Sequence, residues 1–157
     1  MESRNKSKIS MIKNYYYLIV GILSILFAVT HAWNGQTTVL PVVNTSNINL
    51  STKTTIFYIW HILTAENFIF GFSFLVMAFY KDLSKVKFTA WFIAVIIIVR
   101  WVVIFGSTLS LNINGLTDTL FDLIAIIIYV GLIILGTRTK VKNYGVGNFD
   151  SDQTKID

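Results

Sequence analysis

Five ionisable side chains stand inside otherwise apolar stretches of this chain: His31, His61, Glu66, Arg100 and Asp122. Such a group in hydrocarbon costs several kcal/mol and is retained for a function or because a partner neutralises it. Glu66 and Arg100 are expected to pair, since either alone would be an uncompensated buried charge. The pair is then a structural tie between two helices, or Glu66 exchanges a proton with an affinity set by Arg100 and burial. His31 and His61 admit three chemistries. With Asp122 or Glu66 they offer nitrogen and oxygen ligands to a divalent metal, the set His31, His61 and Asp122 being the candidate. On two helices they could ligate haem from both sides, or contact a quinone. As a hydrogen-bonding pair they could line a wet pocket. No HxxxH or ExxH spacing supports chelation, and His61 and Glu66, five apart, sit ~140° apart around a helix. Asp118 and Asp122 share a helical face. Asp118, beside Thr117, stands where a helix start needs acceptors and reads as a cap. Asp122, one turn deeper, calls for a partner from His31, His61 or Arg100.

The elements that position these groups follow from composition. Of 157 residues, 54% are apolar or aromatic and 13% are charged, about half the roughly 25% charge of a soluble domain. The absence of cysteine excludes disulfides, thiolate metal sites and thiol catalysis. Ser107 and Ser110 lie near the polar groups, but no nucleophile motif surrounds either, so the reading leans away from an enzyme. Four apolar runs, about 15–33, 55–80, 88–109 and 116–136, each match the roughly 20 residues that cross a bilayer as a helix. Their β-branched clusters, such as Ile96-Ile97-Ile98-Val99, would favour strands in water, but in lipid the backbone must satisfy itself, which selects helices. The expected fold is an all-α membrane protein, an antiparallel four-helix transmembrane bundle. It forms a single transmembrane domain over 1–142, with a polar, disordered tail over 143–157.

Arg4, Lys6, Lys8 and Lys13 precede span one; Lys81, Lys85 and Lys87 separate spans two and three; Arg138, Lys140, Lys142 and Lys155 follow span four. Lys53 alone stands on the other side, so both termini are expected in the cytoplasm, with the plasma membrane as the location. These basic clusters hug span ends and are read as topological signals, with the lipid bilayer rather than nucleic acid as partner. A homo-oligomer or a larger membrane complex is the other partner class. An alternative for span one is a signal peptide cut after Ala32; this would discard His31 and leave three spans.

Counting from the outer face puts His31 at ~5 Å, His61 and Asp122 at ~9 Å, Arg100 at ~12 Å and Glu66 at ~16 Å depth. The inner half of every span is free of charge, which argues against a channel and for an outward-opening polar pocket with an apolar floor. Residues 34–54 read as one long outer loop, either folded over that mouth or a floppy linker. Asn44-Thr45-Ser46 and Asn49-Leu50-Ser51 there match the glycosylation triplet. Tyr15, Tyr16, Tyr17, Trp33, Trp60, Tyr80 and Trp91 fall near span ends and read as interfacial anchors. Gly71, Gly106, Gly131 and Gly136 offer sites of close helix contact, without a GxxxG pair.

His31-Ala32-Trp33-Asn34-Gly35 and Trp60-His61-Ile62-Leu63-Thr64 resemble strings in a loose group of short bacterial four-span membrane proteins, which pair H-x-x-x-G ending the first helix with W-H-x-x-T in the second. The resemblance covers about ten residues and the span layout. It departs at Gln36, where the group often has an acidic residue, and at Phe57 and Tyr58, where an Arg often precedes the Trp-His. It implies a bacterial inner membrane and two histidines acting together, and it names no activity.

Overall fold

The computed structural model describes residues 11–139, and within them every regular element is helical. Helix α1 spans Tyr15–Asn34 and runs on, through a π-helical turn at Gly35–Val39, into α2 at Leu40–Thr45. Helix α3 covers Leu50–Phe79, α4 Leu83–Leu111, and α5 Leu116–Arg138 after a 3₁₀ turn at Ile113–Gly115. Three stretches, Tyr15–Thr45, Leu50–Phe79 and Leu83–Leu111, are long and apolar enough to cross a membrane. Large apolar side chains such as Phe72, Phe88, Val103 and Ile127 are more exposed than buried, the outward-facing surface of an all-α membrane protein rather than of a water-soluble one. The tail over 143–157, and the basic residues Arg4, Lys6, Lys8, Lys140, Lys142 and Lys155, lie outside the described residues.

The expected outer loop over 34–54 is largely helix, which corrects the reading of that segment. Pro41, which has no N–H to donate to the preceding turn, sits just after the π-helical turn, where the regular ladder is already interrupted. The Lys53 ammonium donates to the Asn44 carbonyl at 2.6 Å, closing the C-terminal end of α2. Asn49 caps α3, its Oδ1 accepting from the Thr52 N–H at 2.8 Å. One triplet asparagine thus has its carbonyl in a helix terminus and the other is a cap. Only residues 46–49 remain as connection. At the opposite end α4 starts a turn earlier than expected, because Asp82 caps it through the Ser84 N–H. The N-cap position of α5 is Gly115; the Asp118 side chain lies outside the described ones.

The helices associate as two pairs. Helix α1 packs along α3, α4 packs along α5, and α1 touches α5, whereas α3 and α4 meet only slightly. Within the first pair the backbones close up at Gly21 and Gly71, where an added Cβ on Gly71 would lie 3.0 Å from the Gly21 carbonyl oxygen. Gly106 and Gly131, by contrast, face open space. The apolar core is concentrated toward the start of α1 and the end of α5: Tyr17, Phe74, Ala78, Ala90 and Ile133 are fully buried. There the N–H groups of Lys13 and Asn14 both donate to the Ala78 carbonyl, at 2.8 and 3.1 Å. Asn14, itself fully buried, accepts from the Tyr17 N–H and donates from Nδ2 to the Gly136 carbonyl at 2.8 Å. One residue therefore ties the start of α1 to the ends of α3 and α5.

Asn14→Ala removes a cap and the Nδ2 bond that ties α1 to the Gly136 carbonyl, so thermal unfolding in detergent should show a loss of about 1–2 kcal/mol. Asp82 gives a pH signature. The Ser84 hydroxyl at 2.6 Å and the Ser84 N–H, with Lys85 nearby, hold its carboxyl below the usual carboxylate range. A lowered folded value stabilises above the unfolded pKa and is lost as pH falls through the folded one. The stability advantage of the wild type over Asp82→Ala is accordingly full at neutral pH and fades only below pH ~4.

Candidate functional site, a polar cavity between the two helix pairs

Where the pairs diverge, away from the core, a cavity of about 250 Å³ opens between α1, α3, α4 and α5. Of the five expected pocket residues, His31, Arg100 and Asp122 line it. Glu66 stands behind Arg100, and His61 does not face the cavity. Ser24, Phe27, Asn67, Trp101 and Tyr129 complete its polar and aromatic wall, and Ile97 and Tyr129 join it to the apolar core below.

Arg100 holds the site together. Its Nη2 donates to Glu66 Oε2 at 2.5 Å and its Nη1 to Asn67 Oδ1 at 3.1 Å. The guanidinium also lies 5.9 Å from the centroid of the buried Phe70 ring, near the limit of cation–π attraction. The Asn67 carbonyl in turn accepts from the Ser24 hydroxyl at 2.9 Å. A continuous polar chain thus runs from α1 through α3 to α4, along the cleft where α3 and α4 make little other contact. The expected Glu66–Arg100 ion pair is present, and it spans that cleft.

The two histidines have different surroundings. His31 stacks on the Trp60 ring, centroids 4.3 Å apart and planes 7° from parallel, while Trp60 Nε1 donates to the His31 carbonyl at 3.1 Å. Gly35 makes this possible, because a Cβ there would overlap the indole. The π-helical turn begins at Gly35, which sets that notch against Trp60. His31, Gly35 and Trp60 from the two quoted strings therefore form one unit. His61 is exposed, and its Nε2 lies 3.5 Å from the Gln36 amide nitrogen. His31 lines the cavity and His61 is not among its lining residues, and among the described residues no hydrogen bond or ring contact joins the two imidazoles. Nor do three His, Asp or Glu side chains gather as metal ligands among those residues, and the set His31, His61 and Asp122 is not brought together. Asp122 lines the cavity without an ion pair to His31, His61 or Arg100 among them.

His31 Nε2, Trp101 Nε1 and the Tyr129 hydroxyl are each buried without a formed protein hydrogen bond, as is the Tyr17 hydroxyl in the apolar core. The first three belong to residues that line the cavity, although the atoms themselves are covered. Tyr129 is 5% exposed, and its hydroxyl sits beside Ser24 without a properly formed hydrogen bond. Trp101 escaped the sequence reading, although a signal existed: Trp33, Trp60 and Trp91 stand near span ends, and Trp101 follows Arg100 inside a span.

Replacing Arg100 or Glu66 singly by Leu leaves a lone charge, which costs about 3–5 kcal/mol when fully buried and less here, where about a quarter of each side chain is exposed. The double change Glu66→Leu with Arg100→Leu should recover most of that loss in detergent unfolding. Comparison with protein-family models, with curated proteins and with solved structures finds no match for this chain, so its site is interpreted from its own geometry.

Proposed function

We propose that this chain is a small integral membrane protein that binds a small polar ligand in a pocket within the outer leaflet. In this reading α5 is a fourth span, the helices form an antiparallel bundle, and both termini face the cytoplasm of a bacterial plasma membrane. The charge distribution supports that orientation: among the described residues Lys81, Lys85, Lys87 and Arg138 flank the core end, and Lys53 alone lies beyond the cavity end.

The observation that carries the binding role is the cavity into which α3, α4 and α5 bring the polar side chains of Asn67, Arg100 and Asp122. Arg100 adds donors of its own, since it has five N–H groups and two are taken by Glu66 and Asn67. Asp122 supplies an acceptor. Phe27, Trp101 and Tyr129 add apolar faces, giving the mixture of an apolar wall with a few aimed polar groups that small-molecule sites share.

The chain contains no cysteine, so a single introduced thiol is a unique probe. Asp122→Cys sits on the cavity wall at an exposed position and Ile133→Cys in the closed core. A membrane-impermeant thiol reagent should modify Asp122→Cys from the face opposite Lys85→Cys, and should leave Ile133→Cys untouched. Silence at Asp122→Cys from both faces, or labelling of Lys85→Cys from the same face, would count against the proposal.

A further inference from the structure

We infer that the ligand is a small organic ammonium ion that also carries a hydroxyl, with its cationic end at Asp122 and its oxygen at Arg100. This rests on the ligand-pocket reading above and adds the chemistry of the ligand. Among the described residues, Arg100 and Asp122 are the charged groups on the cavity wall. The Arg100 charge is answered by Glu66, whose Oε2 lies 2.5 Å from Nη2. Asp122 is exposed, and no ion pair reaches it among the described residues. His31 counts as neutral at pH 7. One positive charge therefore stands against two negative ones, and the unanswered charge is the Asp122 carboxylate. Within a bilayer a lone carboxylate is costly and calls for a counter-charge or a proton.

The rest of the wall selects the class of cation. Phe27 and Tyr129, ring centroids 5.9 Å apart, line the same cavity, as does the Trp101 ring. Aromatic walls attract alkylammonium groups, and Trp101 enters through its ring alone because its N–H is covered. Asp122 and Tyr129 share one face of α5, ~10 Å apart along the axis, and the small Ala125 lies between them on the wall. A metal ion lacks ligands, since no three His, Asp or Glu side chains gather among the described residues. An anion would meet Asp122 while Arg100 is already answered, and an uncharged molecule would leave the carboxylate unmatched. The hydroxyl has a partner too: Arg100 has N–H groups beyond those given to Glu66 and Asn67, and they can only donate. Size agrees, because a cavity of about 150 Å³ accommodates benzene and choline, only slightly larger, has about 250 Å³ here. Free amino alcohols and the ammonium-bearing heads of phospholipids share this chemistry.

The test uses the full chain in nanodiscs of phosphatidylglycerol, a lipid without an ammonium group, with binding read from the concentration dependence of the unfolding temperature. Choline and ethanolamine are compared with two near-isosteres of choline, the uncharged tert-butylethanol and the anion of tert-butylacetic acid. At least one ammonium ion should stabilise the protein, and the uncharged and anionic isosteres should bind at least about tenfold more weakly. Asp122→Asn keeps the shape of an exposed side chain and strands no ion-pair partner among the described residues; it should erase that preference. The lipid attracts choline equally in both variants, so the difference isolates Asp122. Phe27→Leu should weaken choline severalfold, as loss of one aromatic wall requires. Diluting the lipid equally with phosphatidylcholine or with an uncharged glycolipid separates the sources: a lower choline affinity with phosphatidylcholine assigns the site to a lipid head, and equal affinities assign it to a free cation. If the uncharged isostere binds as well as choline, or the preference survives Asp122→Asn, the ammonium inference fails and the pocket stands. If neither ammonium ion shifts unfolding, the inference also fails, and labelling of Asp122→Cys then shows whether the pocket falls too.

Discussion

A guanidinium keeps its proton at any pH a cell meets, so Arg100 needs an anion wherever the fold carries it. That requirement organises the site end of the molecule. Glu66 and Asn67 on α3 meet it from across the cleft between the two helix pairs. Elsewhere α3 and α4 touch only slightly, although they are joined by a three-residue connection, 80–82. The ion pair is thus the tie that stops the pairs from separating where apolar packing has run out. It also fixes which face of α4 points inward, and with it the neighbouring Trp101.

The first pair is rigid for different reasons. Gly21 and Gly71 bring α1 and α3 into backbone contact, and the Ser24 hydroxyl crosses to the Asn67 carbonyl. About two turns further on, Trp60 fills the Gly35 notch, stacks on His31 and holds its carbonyl. Three kinds of contact therefore succeed one another along a single seam. Each places a cavity residue: Asn67 below Arg100, Ser24 beside Tyr129, His31 at the rim.

How much of this was legible in the sequence depended on whether the signal was local or relational. Helicity and the Glu66–Arg100 pair could be read, because lipid leaves the backbone one solution for such runs and leaves two facing charges one another. The segment over 34–54 was misread as loop, since its Asn, Ser and Thr look like linker residues. Their actual work is to cap: Asn49 serves the start of α3 and Asn44 receives Lys53. Pairing His31 with His61 rested on similar depth, and depth says nothing about rotation around the helix. The residue that meets His31 is Trp60, one position before His61. Gly21 was passed over because close approach of two helices depends on what lies opposite, and no single strand of sequence records that.

The cavity asks why a chain would keep Trp101 and Tyr129 there at all. Phenylalanine fills nearly the same volume without a polar atom, and packed apolar substitutes for buried polar groups are commonly neutral or stabilising. Unpaired buried polar atoms cost about 1–3 kcal/mol each, and the closed end carries one of its own in the Tyr17 hydroxyl. What sets the cavity end apart is its charge: Arg100, Glu66 and Asp122 lie there, and the core cluster around Phe74 and Ile133 holds no charged residue. The fold is therefore best understood as a stable half that carries the structural load and a polar half arranged for an occupant, with Arg100 joining the two.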